Sequence, residues 1–175
     1  MKIIKNRKPI FMVHKHHATK LHYDLRLEIG GKLKSFAMYE LPIKPSEPVN
    51  AVQVPDHPFW YRHFEGVIPE GDYGAGPVMV WDKGLFSSFM KDHDGKAISL
   101  EESIKKGFML LWLKGHKLNG GYILVRLSKK AKWLIIKMDD EYVIKGRKPA
   151  NWQRSVKSNK TLDQILEHYS DKLKK

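Results

Sequence analysis

Along most of the chain, apolar and polar residues alternate with a period of two, the spacing of strands that hide one face and show the other. From Leu21 to Glu28, Leu21, Tyr23, Leu25 and Leu27 interleave with His22, Asp24, Arg26 and Glu28. Gly30-Gly31 then supplies a turn, and Lys32–Met38 reads as the returning strand of a hairpin. The same pattern predicts strands over Asn50–Val54, Pro77–Trp81, Phe108–Leu113, Tyr122–Leu127 and Trp133–Met138, with GHKLNGG as a second hairpin connection. Helix signals are fewer. Ser99 and Glu102 have capping-box spacing and open a short helix towards Lys106. Leu162, Ile165, Leu166, Tyr169 and Leu173 fall on one face of a terminal amphipathic helix. Many short strands and two helices predict a mainly β fold: a closed or nearly closed antiparallel β-barrel with two short flanking helices. A sandwich shares this pattern.

The 175 residues suit one domain, residues 1–175, with a core over about 11–142 and a helical tail over about 159–175. There is no internal repeat and no low-complexity linker. No apolar run approaches the ~18 residues of a membrane span. MKIIKNRKPIFMV lacks the uninterrupted apolar region of a signal peptide, so a cytoplasmic protein is expected. The sequence contains no cysteine, which removes disulfides, thiolate zinc sites and cysteine nucleophiles together. Charge changes the picture more. Thirty-two Lys and Arg against nineteen Asp and Glu leave +13, a balance that attracts polyanions, of which nucleic acid is the commonest in a cell.

Chemistry concentrates in the strand from Leu21 to Glu28. Its alternation sends leucine and tyrosine to one face and presents imidazole, carboxylate, guanidinium and carboxylate on the other. His22 and Asp24, two residues apart, have Cα atoms roughly 7 Å apart and can share an ion. His16, just before, supplies a third ligand if the chain bends back. Two imidazoles and a carboxylate suit Mn²⁺, Zn²⁺ or Fe²⁺. Arg26, next on that face, is placed to fork onto a phosphate. A second cluster is Asp56-His57-Pro58 with Tyr61 beyond it, where His57 is a candidate general acid or phosphate ligand. The stretch Glu65–Gly76 nearly has dinucleotide-loop glycine spacing, but a strand follows it rather than a helix, so it reads as a turn-rich connection.

The segments HKHHATKLHYDLRLE, LKSFA, DHPFWY, FEGVIPEGDYGAG, VWDKG, LVRL and WLIIK stand in a recognisable order. From Phe11 to about Tyr142 the chain resembles the 3′-phosphoesterase domain of bacterial and archaeal DNA ligase D. The resemblance implies a β-barrel enzyme that heals DNA or DNA/RNA 3′ ends. It would use Mn²⁺, or another divalent transition metal such as Co²⁺ or Zn²⁺, and work as a monomer beside a separate DNA ligase or polymerase. Such enzymes remove a terminal ribonucleoside to leave a 3′-phosphate, then hydrolyse that phosphate to a hydroxyl. By motif, His16, His22 and Asp24 correspond to the metal ligands, Arg26 and His57 to the phosphate-binding and transition-state groups, and Tyr61 to an auxiliary catalytic residue. Three positions depart from the family pattern. Tyr39-Glu40-Leu41 replaces a VPKG-like stretch, Val49-Asn50 replaces a basic and an apolar residue, and His14 stands where glutamine is usual. The alternative is a non-catalytic nucleic-acid-binding β-barrel of a repair complex, with tryptophans and tyrosines stacking bases. A cupin-like oxygenase shares only the His14-Lys-His16 pair and lacks the other spacings.

Overall fold

The computed structural model describes residues 7–128, 131–148 and 152–174; Met1–Asn6 and Lys175, at the ends of the two terminal segments read above, lie outside them. Nine strands follow in chain order: β1 (Ile10–His17), β2 (Leu21–Ile29), β3 (Lys32–Met38), β4 (Val49–Pro58), β5 (Gly66–Ile68), β6 (Gly76–Ser88), β7 (Phe108–Gly115), β8 (Asn119–Arg126) and β9 (Lys132–Lys137). Helix α1 (Leu100–Lys106) precedes β7, and α2 (Leu162–Leu173) lies near the C-terminus. The strand order is β1-β2-β3-β4-β9-β8-β7-β6, and β6 pairs back onto β1. Every one of these ladders is antiparallel. Eight strands therefore close a barrel, which rules out the sandwich, and β5 is a short extra strand on β6.

The apolar face of β2 packs inward as the alternation requires. Tyr23, Leu25 and Leu27 join Phe11, Val13, Phe36, Trp81, Leu111, Leu124 and Trp133 in one core. The helix ends also follow the local sequence. Ser99 accepts from the Glu102 amide, and α1 stops at Gly107 in the left-handed conformation, φ 76°. Thr161 and Gln164 complete a capping box at the start of α2.

The chain bends back between β1 and β2, as the reading of His16 required, and His16 on β1 sits directly across from His22. Periodicity hid β1 because three apolar residues, Phe11–Val13, are followed by three polar ones, His14–His16, so nothing alternates. His57 lies on a strand, the extended β4. Strand β6 also runs on well past Trp81. Gly84 permits this, since a Cβ there would sit 2.0 Å from the Lys114 carbonyl oxygen of β7.

The polar side of β1 and β2 is itself covered. A single 3-10 turn, Phe59–His63, folds over it, and Phe59 and Tyr61 pack with Met12, Leu33, Val80 and Val156 in a second, smaller apolar cluster. The C-terminal segment holds this cover down. Val156 N–H donates to Val80 O at 2.9 Å, Ser155 Oγ to Glu65 Oε2 at 2.5 Å and Lys157 Nζ to His63 O at 2.5 Å.

Candidate active site

Three adjacent strands lay a polar array on the outer barrel wall. The register pairs His14 with Asp24, His16 with His22 and Arg26 with Ser35. Residues opposite each other on antiparallel strands have side chains on the same face. His14 and His16 of β1 thus stand beside His22, Asp24 and Arg26 of β2, with Ser35 of β3 flanking Arg26. A register shift between β3 and β4 lies between Leu33 and Ser35, next to the Leu33–His57 pair. Irregularities of this kind re-aim side chains, and His57 reaches the array from β4.

His16, His22 and Asp24 offer one ligand atom each, all within 4.8 Å of one another. The hydrogen bonds select the lone pairs. His22 Nδ1 lies 3.0 Å from Lys20 O and donates to it, leaving Nε2 to face Asp24 Oδ2 at 3.5 Å. His16 Nε2 lies 2.7 Å from Gly74 O and donates to it, leaving Nδ1 as the free lone pair. Carbonyl partners that fix the second nitrogen in this way are the usual support of metal-binding histidines. Two neutral imidazole nitrogens and a carboxylate in one cluster fit a divalent transition metal with bonds of about 2.0–2.2 Å.

Electrostatics sharpen the arrangement. Burial disfavours the Asp24 charge, but the His22 hydrogen bond and the Arg26 and His22 charges prevail and hold the carboxyl below its usual range. The Asp24 hydrogen bond raises His22, and burial lowers His16 despite its carbonyl partner. The second group of possible ligands, Asp92, His93 and Asp94, lies in an exposed turn, where Asp92 Oδ1 accepts the amides of Asp94 and Lys96. Those bonds account for the aspartate as a turn-former.

Arg26 is only 3% exposed and is held on nearly every side. Its Nε donates to His14 Nδ1 at 3.0 Å, Nη1 to Ser35 Oγ at 2.7 Å and Nη2 to Asp24 Oδ2 at 3.1 Å. Nη1 also lies 3.0 Å from His57 Nδ1. A guanidinium has five N–H groups; with His57 accepting, four are aimed at protein and one on Nη2 remains. The two-pronged fork read from the sequence is therefore largely occupied within the protein. His57 Nδ1 has a second suitor, Pro55 O at 3.1 Å. That nitrogen either donates to Pro55 or accepts from Arg26, and the choice sets whether Nε2 is an acceptor or a donor. Burial and the Arg26 charge both lower the His57 pKa. Tyr61 completes the wall, its ring 4.8 Å from the His57 ring and 5.2 Å from Arg26 Cζ, stacked on Phe64 at 5.0 Å.

All six candidate residues, His16, His22, Asp24, Arg26, His57 and Tyr61, are thus brought into one array. Sequence reasoning missed Ser35 and the part played by His14, although counting back from the Gly30-Gly31 turn would have placed Ser35 opposite Arg26. It also missed two carbonyls, Phe64 O on His14 and Gly74 O on His16. The stretch Glu65–Gly76 is consequently more than a connection, since it aims a candidate ligand.

The sequence profile of the DNA ligase D 3′-phosphoesterase domain matches residues 14–126. The chain belongs to that family. Among its relatives is the multifunctional non-homologous end joining protein LigD of Pseudomonas aeruginosa, 41% identical over 134 residues, 74% of this chain and 15% of that protein. The protein of the same name from Mycolicibacterium smegmatis is 39% identical over 132 residues, 75% of this chain and 17% of the relative. The Mycobacterium tuberculosis end joining DNA repair protein LigD is 36% identical over 132 residues, 75% and 16% of the respective chains. The chain thus spans about one sixth of the length of these relatives. No helix among the described residues is long and apolar enough to cross a membrane.

Proposed function

We propose that this family member is a divalent-metal-dependent phosphoesterase of nucleic-acid 3′ ends, acting in end-joining repair. It removes a 3′-terminal ribonucleoside to leave a 3′-phosphate, then hydrolyses that phosphate and leaves a hydroxyl for a separate ligase. The observation that carries this reading is the convergence of a three-donor cluster, a buried guanidinium and a histidine on one wall. A metal, Mn²⁺ in the first instance, would be held by His16 Nδ1, His22 Nε2 and Asp24. Bound there, it would supply positive charge to the phosphate oxygens and acidity to a coordinated water.

The chain's own residues do the rest. Arg26 is a fixed cation in a site shielded from water, where preorganised charge is most effective against charge developing on phosphate. Its remaining Nη2 N–H points one prong at the substrate. His57 Nε2 is the proton-carrying end. In the tautomer that accepts from Arg26 it holds the proton that the leaving oxygen needs when its bond to phosphorus breaks, the ribonucleoside 5′ oxygen in the first step and the 3′ oxygen in the second. Tyr61 and Phe64 keep the His57 ring from turning.

The deciding experiment incubates the protein with oligonucleotides ending in a 3′-phosphate or a 3′-ribonucleoside, with Mn²⁺, Co²⁺, Zn²⁺ or a chelator. Release of inorganic phosphate and the shortened product with metal, and none with chelator, is expected. Intact substrates under every metal, with the oligonucleotide still bound, would make the chain a binding barrel.

A further inference from the structure

The three most exposed aromatic side chains among the described residues each adjoin a residue that holds the polar array in place. Tyr73 is 102% exposed, Tyr39 69% and Trp60 64%, whereas the next, Tyr142, is 44%. Each is tied to a different side of the cluster. The Trp60 ring lies 5.6 Å from that of Tyr61, which in turn stands over Arg26. Tyr73 immediately precedes Gly74, whose carbonyl receives His16 Nε2. Tyr39 follows Met38, the partner of Tyr23, and so continues the β3 edge past His22. Lys20 Nζ lies 5.9 Å from the Tyr39 ring centroid, and the Lys20 carbonyl receives His22 Nδ1.

We propose that Tyr39, Trp60 and Tyr73 form a stacking platform for the unpaired bases of a nucleic-acid 3′ end whose phosphate enters the array. The inference rests on the phosphoesterase reading and narrows its substrate to single-stranded or frayed ends. Large apolar rings left in water gather at binding surfaces. The charge around these rings selects the occupant: Lys20 over Tyr39, Arg26 behind Tyr61, and +13 over the chain favour an anionic ligand with flat apolar faces. A nucleotide has both parts. In a closed duplex the base faces are occupied by their neighbours, so only unpaired bases offer them. A protein or lipid partner would need a continuous apolar surface, whereas these rings are separated by the polar cluster.

The test uses a single-stranded oligonucleotide whose last base is 2-aminopurine and whose 3′ end is a phosphonate, with a P–C bond that resists hydrolysis. A second oligonucleotide has an abasic last residue. Binding to the unmutated protein should quench the 2-aminopurine, and the abasic strand should bind about 5- to 150-fold more weakly, the range of one base–aromatic stack. Trp60→Ala, Tyr39→Ala and Tyr73→Ala, checked for folding by circular dichroism, should weaken the base-bearing strand and change the abasic strand little. Equal binding of the two strands by the unmutated protein, or unchanged binding by all three variants, overturns the platform. Binding is read without turnover, so the two readings fail separately. Quenching with no phosphate release from a true 3′-phosphate removes the phosphoesterase reading alone. Phosphate release that ignores the terminal base removes the platform alone.

Discussion

Arg26 Nε donates to His14 Nδ1 across 3.0 Å, and both side chains are buried. The contact requires His14 to be neutral at Nδ1, while its Nε2 donates to Phe64 O at 2.9 Å. Burial, and then the Arg26 charge, push His14 down from an ordinary 6.5 to about 3.

A pH dependence of stability follows. The unfolded chain takes up a proton at His14 near pH 6.5 while the folded chain refuses it until about 3. The stabilisation is therefore complete above about 6.5 and is lost as pH falls towards about 3, by up to ~1.4 kcal/mol per pH unit. His16 and His57 are lowered too and act in the same direction, whereas His22 is raised and opposes them. Arg26, Asp24 and Tyr61 also face His14 and are charged or titratable. Denaturant unfolding between about pH 7 and pH 4.5 should give a flatter profile for His14→Gln than for the unmutated protein. Parallel profiles would assign the acid sensitivity elsewhere.

Arg26→Lys should fail twice. A single ammonium cannot reach His14, Ser35 and Asp24 together, so a buried charge is left short of partners at a cost of about 3–5 kcal/mol. Release of 3′-phosphate should fall by roughly 100-fold or more with the loss of the positioned guanidinium N–H groups. Thermal unfolding and a phosphate-release assay measure the two effects separately. A variant with wild-type melting would show that the network around Arg26 adds little to stability.

His22→Ala and Asp24→Ala should part company. Both remove a metal donor, so titration calorimetry with Mn²⁺ should show binding lost in each. Only Asp24→Ala strands Arg26, whose Nη2 it accepts at 3.1 Å. Melting should drop by several degrees for Asp24→Ala and little for His22→Ala, whose side chain is 20% exposed. Equal melting of the two variants would mean that Arg26 finds another partner.

Substrate affinity should weaken steeply with salt. Each phosphate neutralised along a single strand releases condensed counterions, so log KM should rise with log salt by about 0.7 per contact. KM should suffer before kcat, because Arg26 is shielded from salt by burial. A flat profile would separate the +13 charge from substrate binding.

Much of this molecule is written in its periodicity, and the exceptions have a common cause. Strand β2 was legible because Tyr23, Leu25 and Leu27 face a core while polar partners face elsewhere. β1 was not, because apolar Met12 shares a face with His14 and His16 while Lys15 shares the other with Phe11 and Val13, so the residue types do not alternate. The candidate site divides in the same way. His16, His22, Asp24, Arg26, His57 and Tyr61 are side chains of distinctive type and could be named from sequence. Phe64 O and Gly74 O orient two of the histidines, and a carbonyl carries no residue signature. Gly74 O is placed by the Glu65–Gly76 excursion and Phe64 O by the end of the 3-10 turn, and the paths of both depend on the completed barrel.

Inheritance and foldability divide this chain at different points. A protein cut after Arg126 would keep every residue of the polar array, and every residue that the family profile matches. It would lose β9, the strand that joins β4 to β8, and with it the closure of the barrel. It would also lose the Ser155 and Lys157 contacts to Glu65 and His63, which pin the wall carrying Tyr61. The matched segment transplanted alone would thus carry the chemistry as an open sheet with two raw edges, prone to pairing with its own copies. The residues that make the module portable are the ones its catalytic vocabulary never mentions.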